Sequence, residues 1–419
     1  MFGSRSPSRR EHSREAALLL PCSDAVLLMS ADARIKSAPT HRSQRALKLR
    51  EVRFEDYSQV SALASQNHLY VETYPEWTHL WTNNPAYREI KDRFPMGWVL
   101  VNEEARVSGY LGNIPLNYEL DGKRILAAAT RAWVVDTDCR PYSPLLLGTF
   151  FQQPNVDLFL NTTVSSEAAA AYGIFQGIRM PVGAWDRSLY WITHHQGFTE
   201  SFLRTKGVAM AEPLSYPLSL GIFLRDQARK SRLKRDRSTV TVLPCPAFDD
   251  RFEVFWASMK KQKSKLLLAV RSREALQWHF EFALQQNAAW IYIVENSSGL
   301  AAYSVFLRQD NLETGLKRVR LVDFQCLEQV RAPDLLAAML KVAICRCQQE
   351  SIHMLEVIGL TPELEKKLEH LSPHRRPLPT WMSYYKPNNA SLAENLKNTA
   401  LWEPSLFDGD SSLCSLTVT

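Results

Sequence analysis

Apolar positions gather in three successive strand-like runs, Trp98–Val101, Ser108–Tyr118 and Arg124–Val135, which predict three neighbouring strands. A turn rich in Pro and Asp follows (Asp136–Pro144), then a continuous apolar run with helical character, and then a further strand at Val156–Asn161. Upstream, Leu47–Phe54 alternates as a strand and gives way to a helix after Glu55 and Asp56, where a carboxylate is favourable at a helix start. Trp77 and Trp81 stand four apart in Glu76–Tyr87 and so share a helix face, which the Asn83-Asn84-Pro85 turn ends. After Asn161 an Ala-rich run predicts a helix closed by Gly173 and Gly177, and Leu189–Thr193 predicts one more short strand.

The same order returns further on. From Ser238 the chain reads as strand, helix and a second helix with Leu276, Phe280 and Leu284 on one stripe; strands and an apolar helix follow. Trp98 and Trp290, Glu103 and Glu295, and Pro141 and Pro333 match at an offset of 192 residues. The pattern predicts a mixed-sheet α/β unit repeated in tandem. The repeat sets the expected domains: a disordered basic tail at 1–45, a first domain at 46–205, a basic linker at 206–237, a second domain at 238–390 and an extended tail at 391–419. The segment Arg375–Pro387 is expected to complete the second sheet. In the tail, Trp402, Leu406 and Phe407 are apolar anchors, and Asp408-Gly409-Asp410 reads as a turn without calcium-loop spacing.

Composition refines this picture in three places. A length of 419 residues exceeds what one hydrophobic core ordinarily serves. The net charge of +6 is carried by residues 1–50, which hold ten Lys/Arg against four Asp/Glu, so the remainder is balanced and does not point to a nucleic-acid-binding fold. Seven Cys, without paired ligand spacing, fit reduced thiols in a cytoplasmic protein and predict no zinc site. The run Ala16–Met29 is interrupted by Pro21 and Asp24 and is not expected to be a signal peptide; Met29 is an alternative start. No stretch is long and apolar enough to span a bilayer. His194 and His195 are adjacent on an expected strand and would face opposite ways, whereas His279 and His353 lie on apolar elements and are expected in the core.

The phrases EARVSGYLGNIPL, RAWVVDTDCRPYSPLLLGTFF and VDLFLNTT, taken in this order, resemble the GNAT acyltransferase superfamily, present here twice, at roughly 47–195 and 238–387. The resemblance extends to duplicated bacterial GNAT-like and Fem-like proteins. It implies two tandem GNAT-like domains with acetyl-CoA or another acyl-CoA as co-substrate, a small-molecule acceptor such as a sugar or amino-sugar precursor, and no metal. By position it implies that Val134, Val135, Arg140, Ser143, Leu145 and Asn161 face the donor, that Tyr172 is the acid for the leaving thiolate, and that Glu119 is a candidate base. The diphosphate loop departs from the family pattern, because Arg140-Pro-Tyr-Ser-Pro-Leu145 lacks its glycines, and Gln329–Leu335 in the second copy lacks them too. Two alternatives share the fold. A Fem-like transferase would use aminoacyl-tRNA, for which Arg225–Arg237 offers phosphate contacts; transfer RNA is a partner only under that reading. A GNAT-like protein without activity would bind a ligand or scaffold a pathway.

Overall fold

A computed structural model describes residues 47–413, except 165, 182–184, 186, 232–239 and 379–381. The N-terminal tail and the charged core of the expected linker therefore lie outside the described residues.

Strands Val107–Leu120 and Lys123–Val135 form a long hairpin. Its two-residue turn has Asp121 and Gly122 both at positive φ (51° and 70°), the conformation that suits the right-handed twist of a hairpin. Gly97–Val101 pairs with the outer edge of this hairpin, and Lys48–Glu51 pairs with Gly97–Val101 in turn. On the other side, Leu158–Val164 runs parallel to Lys123–Val135, after a crossover through helix Ser143–Phe151. Helix Tyr74–Thr82 packs Trp77 and Trp81 together, ring centroids 5.2 Å apart, against this first sheet.

The second sheet repeats the order. Ala289–Asn296, Gly299–Arg308 and Arg318–Cys326 are antiparallel neighbours, and Met354–Ile358 lies parallel to Arg318–Cys326 after helix Ala332–Gln349. Pro144 and Pro333 both stand in the first turn of their crossover helices, so Pro144, rather than Pro141, is the counterpart of Pro333.

The sheets exchange strands. Arg187–Ile192 pairs antiparallel with Met354–Ile358 in the second sheet. Met382–Pro387 pairs antiparallel with Leu158–Val164 in the first. The segment expected to complete the second sheet is thus divided: His374–Pro377 stays in the second sheet, and Met382–Pro387 crosses to the first. Each sheet flanks its parallel pair with a strand from the other half of the chain, and one hydrophobic cluster runs from Tyr118, Ile125 and Leu158 of the first sheet to Tyr303 and Val305 of the second.

His194 and His195 lie at the start of helix His195–Thr205 rather than on a strand. The His194 ring accepts a hydrogen bond from the Gly197 N–H at 3.1 Å, capping the helix, and His195 turns to Asp226 at 3.1 Å. The segment after Gly207, expected as linker, forms helix Ala211–Ser231.

Candidate active site

The parallel pairing between Lys123–Val135 and Leu158–Val164 covers only Ala127–Ala129 against Leu158–Leu160. Beyond Ala129 and Leu160 both strands run on without a common ladder, so a wedge opens between Thr130 and Asn161. A bulge in Lys123–Val135, where Ala132 takes a left-handed φ of 51°, sharpens the bend and leaves one residue without a partner on Val107–Leu120. Beside this bulge the Trp133 indole N–H is buried and, among the described residues, meets no hydrogen-bond partner.

Tyr172, on helix Ser166–Ile174, fills the wedge mouth. It is 1% exposed and packs edge-on against Trp133 and Phe151 and tilted against Tyr384. Its hydroxyl accepts a hydrogen bond from the Asn161 amide and lies 3.5 Å from the Thr130 hydroxyl. Burial pushes the Tyr172 phenol up to about 12, so it holds its proton at neutral pH.

The other occupant comes from the far end of the chain. The segment after helix Ala390–Leu396 passes between the two sheets and lodges Leu406 and Phe407 in the shared core. Asp410 then bridges the parting strands. Its carboxylate accepts hydrogen bonds from the Thr162 hydroxyl at 3.0 Å and the Thr163 hydroxyl at 3.3 Å, while Arg131 stands on the other strand with its guanidinium 3.8 Å away. Arg131 also donates to the Asp410 carbonyl at 3.3 Å and is paired with Glu72. Burial raises the Asp410 carboxyl above its ordinary value, against the pull of Arg131.

One turn earlier, Asp408 accepts from Tyr118 at 3.2 Å and lies 3.7 Å from Arg271, which donates to Asp323 at 2.9 Å. Burial again raises Asp408. For Asp323 burial works in the same direction, but Arg271 outweighs it and holds the carboxyl below its usual range. His279, bonded to the Ser412 hydroxyl at 2.6 Å, is driven down to about 3 by burial and is neutral. Two openings reach this polar seam. A cavity of about 180 Å³ is lined by Asn84, Asn117, Tyr118, Ser272, His279 and Phe407. A much smaller one, about 10 Å³, lies between Glu72, Tyr110, Arg131 and Ala132.

The structure brings Tyr172 and Asn161 together at the wedge. Val134 and Val135 lie buried at the end of the bulged strand, with Val134 in the cluster around Trp77 and Val135 in the cluster around Phe150. Arg140, Ser143 and Leu145 sit on the turn, where Arg140 and Leu145 point to solvent. That turn is a short 3-10 helix, Thr137–Tyr142, and Tyr142 already has helical angles, so it runs into Ser143–Phe151 without a cap. Glu119 is on the strand face opposite Tyr118 and is tied to Lys260 at 3.3 Å. Sequence reading missed Asp410 and Arg131. Arg131 did leave a signal, as the only charge in the apolar run Ile125–Val135.

Toward the arm of an acyl-CoA the wedge presents the Trp133 indole N–H and Asn161, with the Tyr172 ring and the Asp410 carboxylate standing between its strands. At the diphosphate end the turn offers Arg140 and not a glycine cradle. Among the described residues, no group of three or more His, Cys, Asp or Glu is placed to hold a metal ion.

No family profile and no curated protein matches the sequence. Solved structures do. The N-myristoyltransferase of Saccharomyces cerevisiae with bound myristoyl-CoA superposes with a TM-score of 0.51 at 13% identity, covering 85% of this chain and 81% of that one. The same enzyme with bound myristoyl-CoA and inhibitors gives 0.51 at 12% identity, covering 84% and 83%. A GCN5-related N-acetyltransferase from Anabaena variabilis gives 0.47 at 11% identity, covering 82% and 73%. The fold is therefore GNAT-like, built on two mixed sheets, and spans most of the chain.

Proposed function

We propose that this protein is an acyltransferase that moves an acyl group from an acyl-CoA to an amine or hydroxyl of a small acceptor in the cytoplasm, with a sugar or amino-sugar precursor as the acceptor class. The observation that carries this reading is Asp410, held between Arg131 and Thr162 where the strands part and the Tyr172 hydroxyl points in. The yeast N-myristoyltransferase, which shares the fold, binds a fatty acyl-CoA, and that supports the donor class.

Acyl-CoA would supply the acyl group as an activated thioester, with its arm held by Asn161 and the bulged strand and its diphosphate met by Arg140. The carboxylate of Asp410, made more basic by burial, takes the proton lost from the acceptor amine or hydroxyl as the new C–N or C–O bond forms. Tyr172 keeps its proton at neutral pH and delivers it from Oη to the departing sulfur as the C–S bond breaks. Arg131 positions Asp410 through the backbone carbonyl and the carboxylate together. Water is kept out by Trp133, Phe151 and Tyr384 around the Tyr172 ring.

Isothermal titration with acetyl-CoA and with longer acyl-CoAs tests the donor. Saturable heat with at least one of them is expected, and silence with all of them overturns the reading. A second reading, binding without turnover, is favoured by the 1% exposure of Tyr172, which fills the wedge mouth. It predicts saturable heat with no release of free thiol for any acceptor.

A further inference from the structure

Among the described residues the buried aspartates follow a rule that one of them breaks. Asp56 meets Arg50 at 2.7 Å, Asp323 and Asp408 meet Arg271 at 2.9 Å and 3.7 Å, and Asp410 meets Arg131 at 3.8 Å. Asp226, on helix Ala211–Ser231 and 7% exposed, pairs with no described arginine or lysine. Its partners are imidazoles. His195 and His374 each bring Nε2 to its Oδ2 at 3.1 Å. His374 Nε2 also lies 3.0 Å from Oδ1, but its single N–H is given to Oδ2, and Oδ1 is buried without a hydrogen bond. Burial outweighs the pull of Asp226 and holds His374 below its ordinary value, so this imidazole brings a dipole and no charge. Its Nδ1 faces the Arg229 guanidinium at 3.5 Å, which fixes the tautomer. A buried carboxylate is ordinarily matched by a full positive charge.

Asp226 and His374 line a cavity of about 260 Å³ beside the second sheet. Trp191, Ile344 and Leu371 give it apolar lining, and the Trp191 indole donates to the Leu371 carbonyl at 2.8 Å, which holds that lining in place. Helix Ala332–Gln349 adds Lys341 and the exposed Cys345. The volume suits a ligand of roughly ten non-hydrogen atoms.

We propose that this cavity binds a free α-amino acid with an apolar side chain, its ammonium on Asp226, its carboxylate on Lys341 and its side chain against Trp191, Ile344 and Leu371. A primary ammonium brings three N–H donors and the full charge that a neutral imidazole does not supply. A plain amine would set its charge beside Lys341 without compensation, and a plain acid would set like charge against Asp226; a zwitterion answers both. A metal ion is poorly served here, because both imidazoles already spend Nε2 on Asp226. The ligand would tie helix Ala211–Ser231 to strand Arg187–Ile192, which the first half of the chain lends to the second sheet. This inference is independent of the acyltransferase reading.

The test is calorimetric titration of the full chain with L-leucine and L-phenylalanine, and with isoamylamine, which lacks the carboxylate of leucine, and isocaproate, which lacks its ammonium. Saturable binding of at least one amino acid is expected, with the amine about tenfold weaker and the acid about a hundredfold weaker. At about four times its Kd the amino acid should slow alkylation of Cys345 by iodoacetamide about fivefold, read by mass spectrometry. Asp226→Asn should weaken binding by about tenfold or more. Should that variant not fold, the protection of Cys345 in the wild type decides, together with Lys341→Met, which should weaken leucine about tenfold and leave isoamylamine unchanged. The proposal is overturned if neither amino acid binds, or if one binds and Cys345 reacts as fast as before. It is equally overturned if isocaproate binds as tightly as leucine, or if folded Asp226→Asn binds leucine like the wild type.

Discussion

Asp410 and Thr162 exchange hydrogen bonds in both directions: the threonine hydroxyl donates to the carboxylate at 3.0 Å and accepts the Asp410 backbone N–H at 3.3 Å. This double contact seats the end of the chain against a strand more than two hundred residues earlier. Arg131 faces it from the neighbouring strand, so a carboxylate stands where the parallel pair of the first sheet comes apart beyond Ala129 and Leu160.

Asp410→Asn keeps the size of the side chain and removes the base. In an assay of thiol release from acyl-CoA, kcat is expected to fall roughly 100-fold with little change in KM. An unchanged kcat would remove Asp410 from the chemistry.

Tyr172→Phe leaves the Asn161 amide without its acceptor inside the wedge. Stability should fall by about 1–3 kcal/mol, read by denaturant unfolding. If Tyr172 also delivers the proton to sulfur, kcat falls by more than tenfold, and donors with more acidic thiol leaving groups recover part of the loss. A structural tyrosine would show the stability loss without the dependence on leaving group.

Gly409 permits the approach that Asp410 needs. It has φ +73°, and a Cβ there would stand 2.5 Å from the Thr162 side chain. Gly409→Ala is expected to cost about 1–3 kcal/mol and to reduce turnover together with stability, because the whole tail must shift. A melting temperature equal to that of the wild type would show that the tail is not held as described.

Glu356 anchors the parallel pair of the second sheet. It is fully buried and meets Arg320 at 2.8 Å, Arg318 at 3.5 Å and Arg376 beside them. Burial opposes its ionisation, yet the three guanidinium groups hold it down to about 2, from an ordinary 4.5. A lowered carboxylate adds stability that is present above 4.5 and is lost as the pH falls towards 2. Glu356→Gln should therefore cost about 3–5 kcal/mol at neutral pH, and the gap to the wild type should close in acid. Asp410 works in the opposite sense. Its value is raised, so what it adds to stability is fully present below its ordinary 3.8 and is lost as the pH climbs through its folded value.

The local elements were legible because the physics that makes them is local. Val107–Leu120 and Lys123–Val135 are strands by their own apolar runs, the Asp121–Gly122 turn needs only two residues at positive φ, and Trp77 and Trp81 meet because a helix repeats every 3.6 residues. Repetition of those elements pointed to the GNAT-like fold. The partners were not legible. Nothing within Arg187–Ile192 or Met382–Pro387 says which sheet it joins, since a short strand fits any open edge of matching twist, and the choice is made by what the rest of the chain has already covered. Tyr172 and Asn161 could be named from their place in the pattern, since both lie in the same crossover unit. Asp410 could not, because an acid in a Gly-containing turn near a chain end looks solvated until Arg131, Thr162 and Thr163 are seen to enclose it. The sequence by itself determined the strands, the helices and their repetition. Only the tertiary structure decided that the chain's last turns fill the wedge left by its first sheet, because burying a carboxylate requires a cation and donors that distant segments alone bring together.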